Sequence, residues 1–254
     1  MVLGVFTFPP IDELFRWKDI WFEGQFYAIN KTNLLVLVSV TLILLIYVGG
    51  SRRMTLVPRG RLQHILEMTF EFVDRGITRD VVGNDATRFT PFLGSLFLFI
   101  LFLNFWEVIP GIQFPPTSRF AIPLFLALMV YVIYWFLGFK HQGIKYLTGH
   151  LFPAGVPIPL YILVTPIELV QILLVRPFSL AVRLLANMMA GHILLTALAL
   201  LTAYTLTNAP IIAIGPFALN VGVTAFEILV GFLQAYIFTL LTAVYIADSL
   251  HAEH

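Results

Sequence analysis

The 254-residue chain contains no cysteine, which excludes a disulfide framework, an iron–sulfur cluster and thiol catalysis. Charge is scarce: Asp, Glu, Lys and Arg make up 11%, against about a quarter in ordinary soluble domains. The net charge of +1 and the short basic clusters offer no stripe for a nucleic acid. No Walker-type glycine loop occurs, so nucleotide chemistry is not expected here. The six histidines are scattered, which leaves no metal centre, and no cofactor is expected. The opening "MVLGVFTFPPIDELFRWKDIWFEG" lacks the basic start, apolar core and small-residue cleavage site of a signal peptide, so it is expected to stay on the mature protein.

What the chain has in abundance is apolar surface, with 59% of residues hydrophobic, and this predicts an all-α integral membrane protein. It reads as a single membrane domain. An outer N-terminal segment, 1–32, precedes a first span at 33–50. The next stretch, "SRRMTLVPRGR", carries four arginines, which the positive-inside rule places in the cytoplasm, with the N-terminus outside. Over 58–80, Leu62, Ile65, Leu66, Thr69, Val73 and Ile77 repeat at helical spacing, while Gln63, Glu67, Glu71, Asp74 and Arg75 take the other face. This amphipathic helix is too polar to span and is expected on the cytoplasmic surface of the membrane. A second span, 89–110, ends outside, and a third, 120–139, returns to Lys140, His141, Lys145 and His150.

The last two apolar runs, 160–207 and 218–248, read as a hairpin. As a helix the first would be about 70 Å long at about 1.5 Å per residue, more than twice a hydrocarbon core of about 30 Å. It is therefore expected to tilt strongly, bent at Pro166 and Pro177, and to return through the loop "TNAPIIAIGP". The C-terminus then lies in the cytoplasm.

Residues equally far from a hairpin turn share a depth. A turn centred near Ala209 sets Arg183 level with Gln234, His192 with Glu227, and Glu168 with Asp248. At about 100° per residue Asn187 stands about 40° from Arg183, whereas His192 stands about 180° away. Ser179, Ala186 and Ala190 make the face beside Arg183 small, so another helix can approach it. An intramembrane arginine cannot deprotonate and needs an anion or water. No carboxylate of this chain is level with Arg183, so its anion is expected from another protein. His192 and Glu227 both titrate and could relay protons, or could be a satisfied buried pair. Asn104 and Glu107, at the outer end of the second span, favour the water-accessible route. Arg176 is read as snorkelling toward the interface near Pro177.

The segments "RPFSLAVRLLANMMAGH" (176–192) and "FEILVGFLQAYIFTLLTAVYI" (226–246), supported by "NFWEVIP" (104–110), resemble subunit a of F-type ATP synthases. That family is the stationary membrane subunit beside the rotating c-ring. The resemblance implies that Arg183 is the essential charge facing the ring carboxylate, with Asn187 and Gln234 as polar neighbours and Glu107 at the outer aqueous entrance. His192 and Glu227 exchange the residue types of some family members, an arrangement similar to mitochondrial and some bacterial versions. Glu168 resembles the acid of the inner half-channel, displaced by one position relative to Pro177, and Asp248 is expected beside it. The implied partners are the c-subunit ring, peripheral-stalk b-type subunits, the rest of the complex and the lipid bilayer, with no nucleic acid. The implied place is a bacterial plasma membrane, and the implied role is proton transport with no catalytic site of its own. A secondary transporter or ion channel is the alternative, but no internal repeat supports it.

Overall fold

The computed structural model describes residues 30–51, 60–152 and 157–250. The expected outer segment 1–32, apart from its last three residues, lies outside the described residues, as does most of the basic connection 51–61. Among the described residues the chain is helical and has no strand.

Helix α1 runs Lys31–Ser51, and the Asn30 side chain caps it by accepting from the Asn33 amide at 3.0 Å. Its apolar side chains are largely exposed, Leu37 by 65% and Leu45 by 64%, as befits a helix solvated by lipid. Helix α2 covers 61–82 as Arg61–Val73, a π-helical turn Asp74–Thr78 and Arg79–Val82. A short 3₁₀ turn, Gly83–Asp85, reverses the chain into α3, Ala86–Phe105. Helix α4 is Ala121–Gln142, and the short α5, Lys145–Leu151, follows a turn at Gly143, whose φ of +61° suits glycine. Helix α6 is continuous over Tyr161–Asn208, with a π turn at Gln171–Val175, and α7 is Pro210–Leu250. Five of these helices, α1, α3, α4, α6 and α7, are long and apolar enough to cross a membrane.

The core lies where α3, α4, α6 and α7 meet, with Leu93, Ile100, Ala127, Leu184, Ala235, Ala243 and Ile246 all but inaccessible. Lipid gives no hydrophobic drive for helices to associate, so close packing must hold them. The buried stripe Ala235, Thr239, Thr242 and Ala243 on α7 provides it, since small side chains let backbones approach.

Three expectations need correction. The supposed loop from Thr207 to Pro216 is helical except for Ala209, so α7 starts eight residues before 218. Proline at a first helical position lacks only an N–H that would have no partner, so Pro210 starts the helix instead of blocking it. The second span ends at Phe105 and not at 110; Trp106 begins a turn, and Gly111, at φ +88°, folds the chain back. On α2 the buried face includes Gln63 and Asp74, expected to be polar surface, while Ile65 is exposed. The cause is that α2 packs along α3 and against α7: Phe72 meets Phe97, Phe232 and Tyr236 at 5.6–5.9 Å. Asp74 is satisfied there by Arg79 at 2.7 Å and by the Thr90 hydroxyl, which donates to it at 2.8 Å.

Candidate functional site

The loop after α3 folds back toward the hairpin. Its anchors are Trp106, donating to the Ser39 hydroxyl of α1 at 2.7 Å, and Lys31, whose amine donates to the Ile112 carbonyl at 2.8 Å. Phe114 is fully buried and stands edge-on to the His192 ring at 5.9 Å. Between this loop and the hairpin lies a cavity of about 250 Å³, lined on its polar side by Glu107, Gln113, His192, Thr196, Asn220 and Thr224. Glu107 Oε1 and Asn220 Oδ1 are buried without a hydrogen-bond partner. Buried polar atoms require partners, and at roughly 30 Å³ per molecule the cavity has room for several waters. Glu107 lies past the α3 span, where burial first and the charge of Glu227 second push its carboxyl up to about 8. It can therefore gain and lose a proton near neutrality.

Glu227 extends this polar region toward the middle of the hairpin. A Cβ on Gly191 would lie 2.5 Å from the Glu227 carboxyl, so the absence of a side chain there is what lets the carboxyl rest against the α6 backbone. Gly191 and Glu227 are equidistant in sequence from Ala209, which fixes the register of the hairpin. Glu227 Oε2 is also buried without a partner. Asn104 is different. Its amide donates to the Gly231 carbonyl at 3.1 Å and its carbonyl accepts from Thr117 at 2.9 Å. Asn104 thus joins α3, the loop and α7, and it does not line the cavity.

On the opposite side of α6, Arg183 is exposed, with Ala186 and Ala190 also exposed and Asn187 half-buried. No hydrogen bond or ion pair of Arg183 occurs among the described residues. His192 is buried, so the half-turn of azimuth between the two side chains separates inside from outside. Gln234, level with this part of α6 in the same register, is 6% exposed and packs within the bundle.

At the inner end Asp248 does not meet Glu168. It binds Arg176 at 2.8 Å and His150 at 2.9 Å, both through Oδ2. Helical side chains lean toward the N-terminus of their helix, so Arg176 reaches inward to Asp248. The snorkelling expected of Arg176 is corrected by this pair and by its seat over the Tyr245 ring, 5.2 Å from the centroid. Gln142 donates to the Asp248 and Ser249 carbonyls at 3.2 and 3.0 Å, capping the end of α7. Asp248, accepting the His150 hydrogen bond, holds that imidazole above the usual histidine range despite its burial. Glu168 is half-buried, with the π turn Gln171–Val175 between it and Pro177. A π turn takes up one residue more than an α turn, the same displacement by which Glu168 departs from the expected spacing.

Residues 33–247 match the family described as ATP synthase A chain. The chain belongs to that family. It is 38% identical over 252 residues to the ATP synthase subunit a of Frankia alni, covering 96% of this chain and 87% of that one. It is 36% identical to the subunit a of Rhodococcus erythropolis, over 98% of this chain and 92% of the relative. With that of Rhodopseudomonas palustris it shares 41% identity, over 91% and 92%. Membership makes it a multi-pass bacterial membrane protein and a membrane subunit of a rotary ATP synthase, outside its catalytic subunits.

Sequence reasoning missed Gln113, Thr196, Asn220 and Thr224 on the cavity wall. Thr196 stands one turn from His192 and Asn220 two turns from Glu227, each on the same stripe, and that spacing was the available signal. Lys31, Phe114 and the His150 pair gave none, because loop folding brings them in.

Proposed function

We propose that this chain is the proton-translocating stator of an F-type ATP synthase, with two aqueous half-channels meeting a ring of c subunits and separated by Arg183. Protons reach the cavity from outside, pass Glu107, His192 and Glu227, and neutralise a carboxylate on a ring helix, which can then turn into lipid. After nearly a full rotation that carboxylate faces the inner route near Glu168 and Asp248 and releases its proton. Arg183 cannot lose its charge, so it favours the ionised carboxylate and repels a proton passing directly between the routes. Asn187 and Gln234 are its polar neighbours, and Asn104 frames the outer route. Each proton supplies about 2.3 kcal/mol per 100 mV, so several are needed per ATP. Peripheral-stalk b-type subunits hold the chain still, with its N-terminus outside and its C-terminus in the cytoplasm.

The observation that carries this reading is the division of one helix into two faces. His192 faces a cavity whose polar side carries partnerless buried oxygens, and Arg183 is presented outward without an anion of its own. The test is proton-driven ATP synthesis in membrane vesicles holding the whole complex with Arg183→Ala. Synthesis is expected to be lost while the ring still copurifies; near-normal synthesis overturns the role.

A further inference from the structure

The hairpin's first helix carries two guanidiniums, and the structure treats them differently. Arg176 and Arg183 are seven residues apart, so they stand within about 20° of azimuth and about 10 Å of one another along α6. Both belong to the face that the proposed function turns toward the ring. Yet Arg176 is drawn off that face onto Asp248 at 2.8 Å and over the Tyr245 ring, while Arg183 has no ion pair among the described residues.

Asp248 is in a place that a carboxylate does not favour. It sits in the last turn of α7, where the helix dipole presents negative charge and suits cations. The cost is offset by Arg176 and by His150, which share one carboxylate oxygen, and by Gln142 on the adjacent carbonyls. The groups facing Asp248 are thus Arg176 from α6, His150 from α5 and Gln142 from α4.

We propose that Asp248 is a positioning residue for the proton-transfer reaction: it sequesters Arg176, so that Arg183 is the one guanidinium available to the ring carboxylate. The inference rests on the reading of Arg183 given above. A loose Arg176 would offer the carboxylate a second cation on the inner side of Arg183, where proton release must occur, and would trap it there ionised and immobile.

Charge removal distinguishes this from a helix clamp. In vesicles holding the complete complex, Asp248→Asn frees Arg176 and should lower proton-driven ATP synthesis about 15-fold, the size of a unit-charge interaction at about 10 Å with an effective dielectric constant of about 20. Asp248→Glu should retain most activity. Arg176→Gln leaves no loose cation and should be close to unchanged. Most tellingly, Asp248→Asn with Arg176→Gln should recover a clear part of the lost rate although the ion pair is still absent and the inner route has one acid fewer. If the double variant is no better than Asp248→Asn, if Arg176→Gln loses as much, or if Asp248→Asn is fully active, the proposal is overturned. Ring copurification is measured for each; a clamp predicts that the double variant also fails to hold the ring, whereas sequestration predicts that it assembles and works. Arg183→Ala is run in parallel, because normal synthesis there overturns the reading of Arg183 itself and not the behaviour of Asp248.

Discussion

The two ends of the α6–α7 hairpin treat polar groups in opposite ways. At the outer end Glu107, Asn220 and Glu227 each keep a buried oxygen without a partner, around or beside a cavity large enough for water. At the inner end Asp248, Arg176 and His150 saturate one another within 2.9 Å. A buried polar atom left unpaired costs about 1–3 kcal/mol unless water reaches it, so the outer end reads as a wetted path and the inner cluster as a fixed one. Between them Arg183 belongs to neither, and that isolation suits a group whose anion arrives from outside the chain.

This contrast can be broken at several points. The largest effect is expected at its centre: Arg183→Ala should reduce ATP-driven proton pumping by about 100-fold or more, as losing a preorganised charge does at reaction centres. Lysine should restore little, because its compact ammonium lacks the planar fork. Next come the relay residues. His192→Ala or Glu227→Ala should slow pumping by about 100-fold, the lower end of what a positioned acid or base contributes. The exchange His192→Glu with Glu227→His should recover part of it by keeping one acid and one imidazole together. Full activity of Glu227→Ala with an unchanged pH profile would make the pair structural.

Gly191→Ala should be milder and sharper. Its Cβ would occupy the seat of the Glu227 carboxyl, an overpacking worth about 1–3 kcal/mol, and would displace that group from the α6 backbone. The variant should assemble normally yet pump several-fold more slowly, a split that a general packing defect would not produce. Glu107→Gln should act mainly on pH dependence. With its carboxyl pushed up to about 8 by burial, Glu107 is protonated below that value and ionises as the outer pH rises through it. An inflection of the rate near that pH should be present in the wild type and absent in the variant.

The smallest effect belongs to His150. Its imidazole is held above the ordinary value by Asp248, so its charged form stabilises α5 against α7 fully below the unfolded histidine value of about 6.5. That contribution is lost as pH rises through the higher folded value. Amide exchange over Lys145–Leu151 should therefore accelerate across that window on the inner side, and His150→Gln should remove the dependence.

How much of this was legible beforehand follows from what kind of force placed each residue. Bilayer thickness and apolar runs set the spans, so the five long helices could be read from hydropathy alone, and the over-long run 160–207 announced an unusual geometry. Arg183, His192 and Glu227 stood out because charge is so costly in such surroundings. Hairpin register put Glu227 at the right level, and Gly191 explains how the carboxyl fits there. What was missed depends on side-chain reach and on loops. Asp248 was assigned to Glu168 by level alone, yet the long Arg176 side chain leans inward and takes it. Asp74 was assigned to the surface by its charge, yet Thr90 and Arg79 make its burial tolerable. Pro210 and Pro216 read as a loop because proline usually interrupts, although a helix can begin with one.

The central claim is that two water routes approach the hairpin from opposite sides without meeting. The absence of native cysteine makes it directly measurable, since any single introduced thiol reports alone. Thr196→Cys, on the outer cavity wall, and Thr165→Cys, near the start of α6, are placed separately in the intact complex in sealed vesicles of known orientation. Each is treated with silver ion or a small impermeant thiol reagent from one side at a time, and proton pumping is recorded. The account predicts that Thr196→Cys is inhibited only from the outer side and Thr165→Cys only from the inner side. Inhibition of Thr196→Cys from the inner side, or from both sides equally, would contradict it.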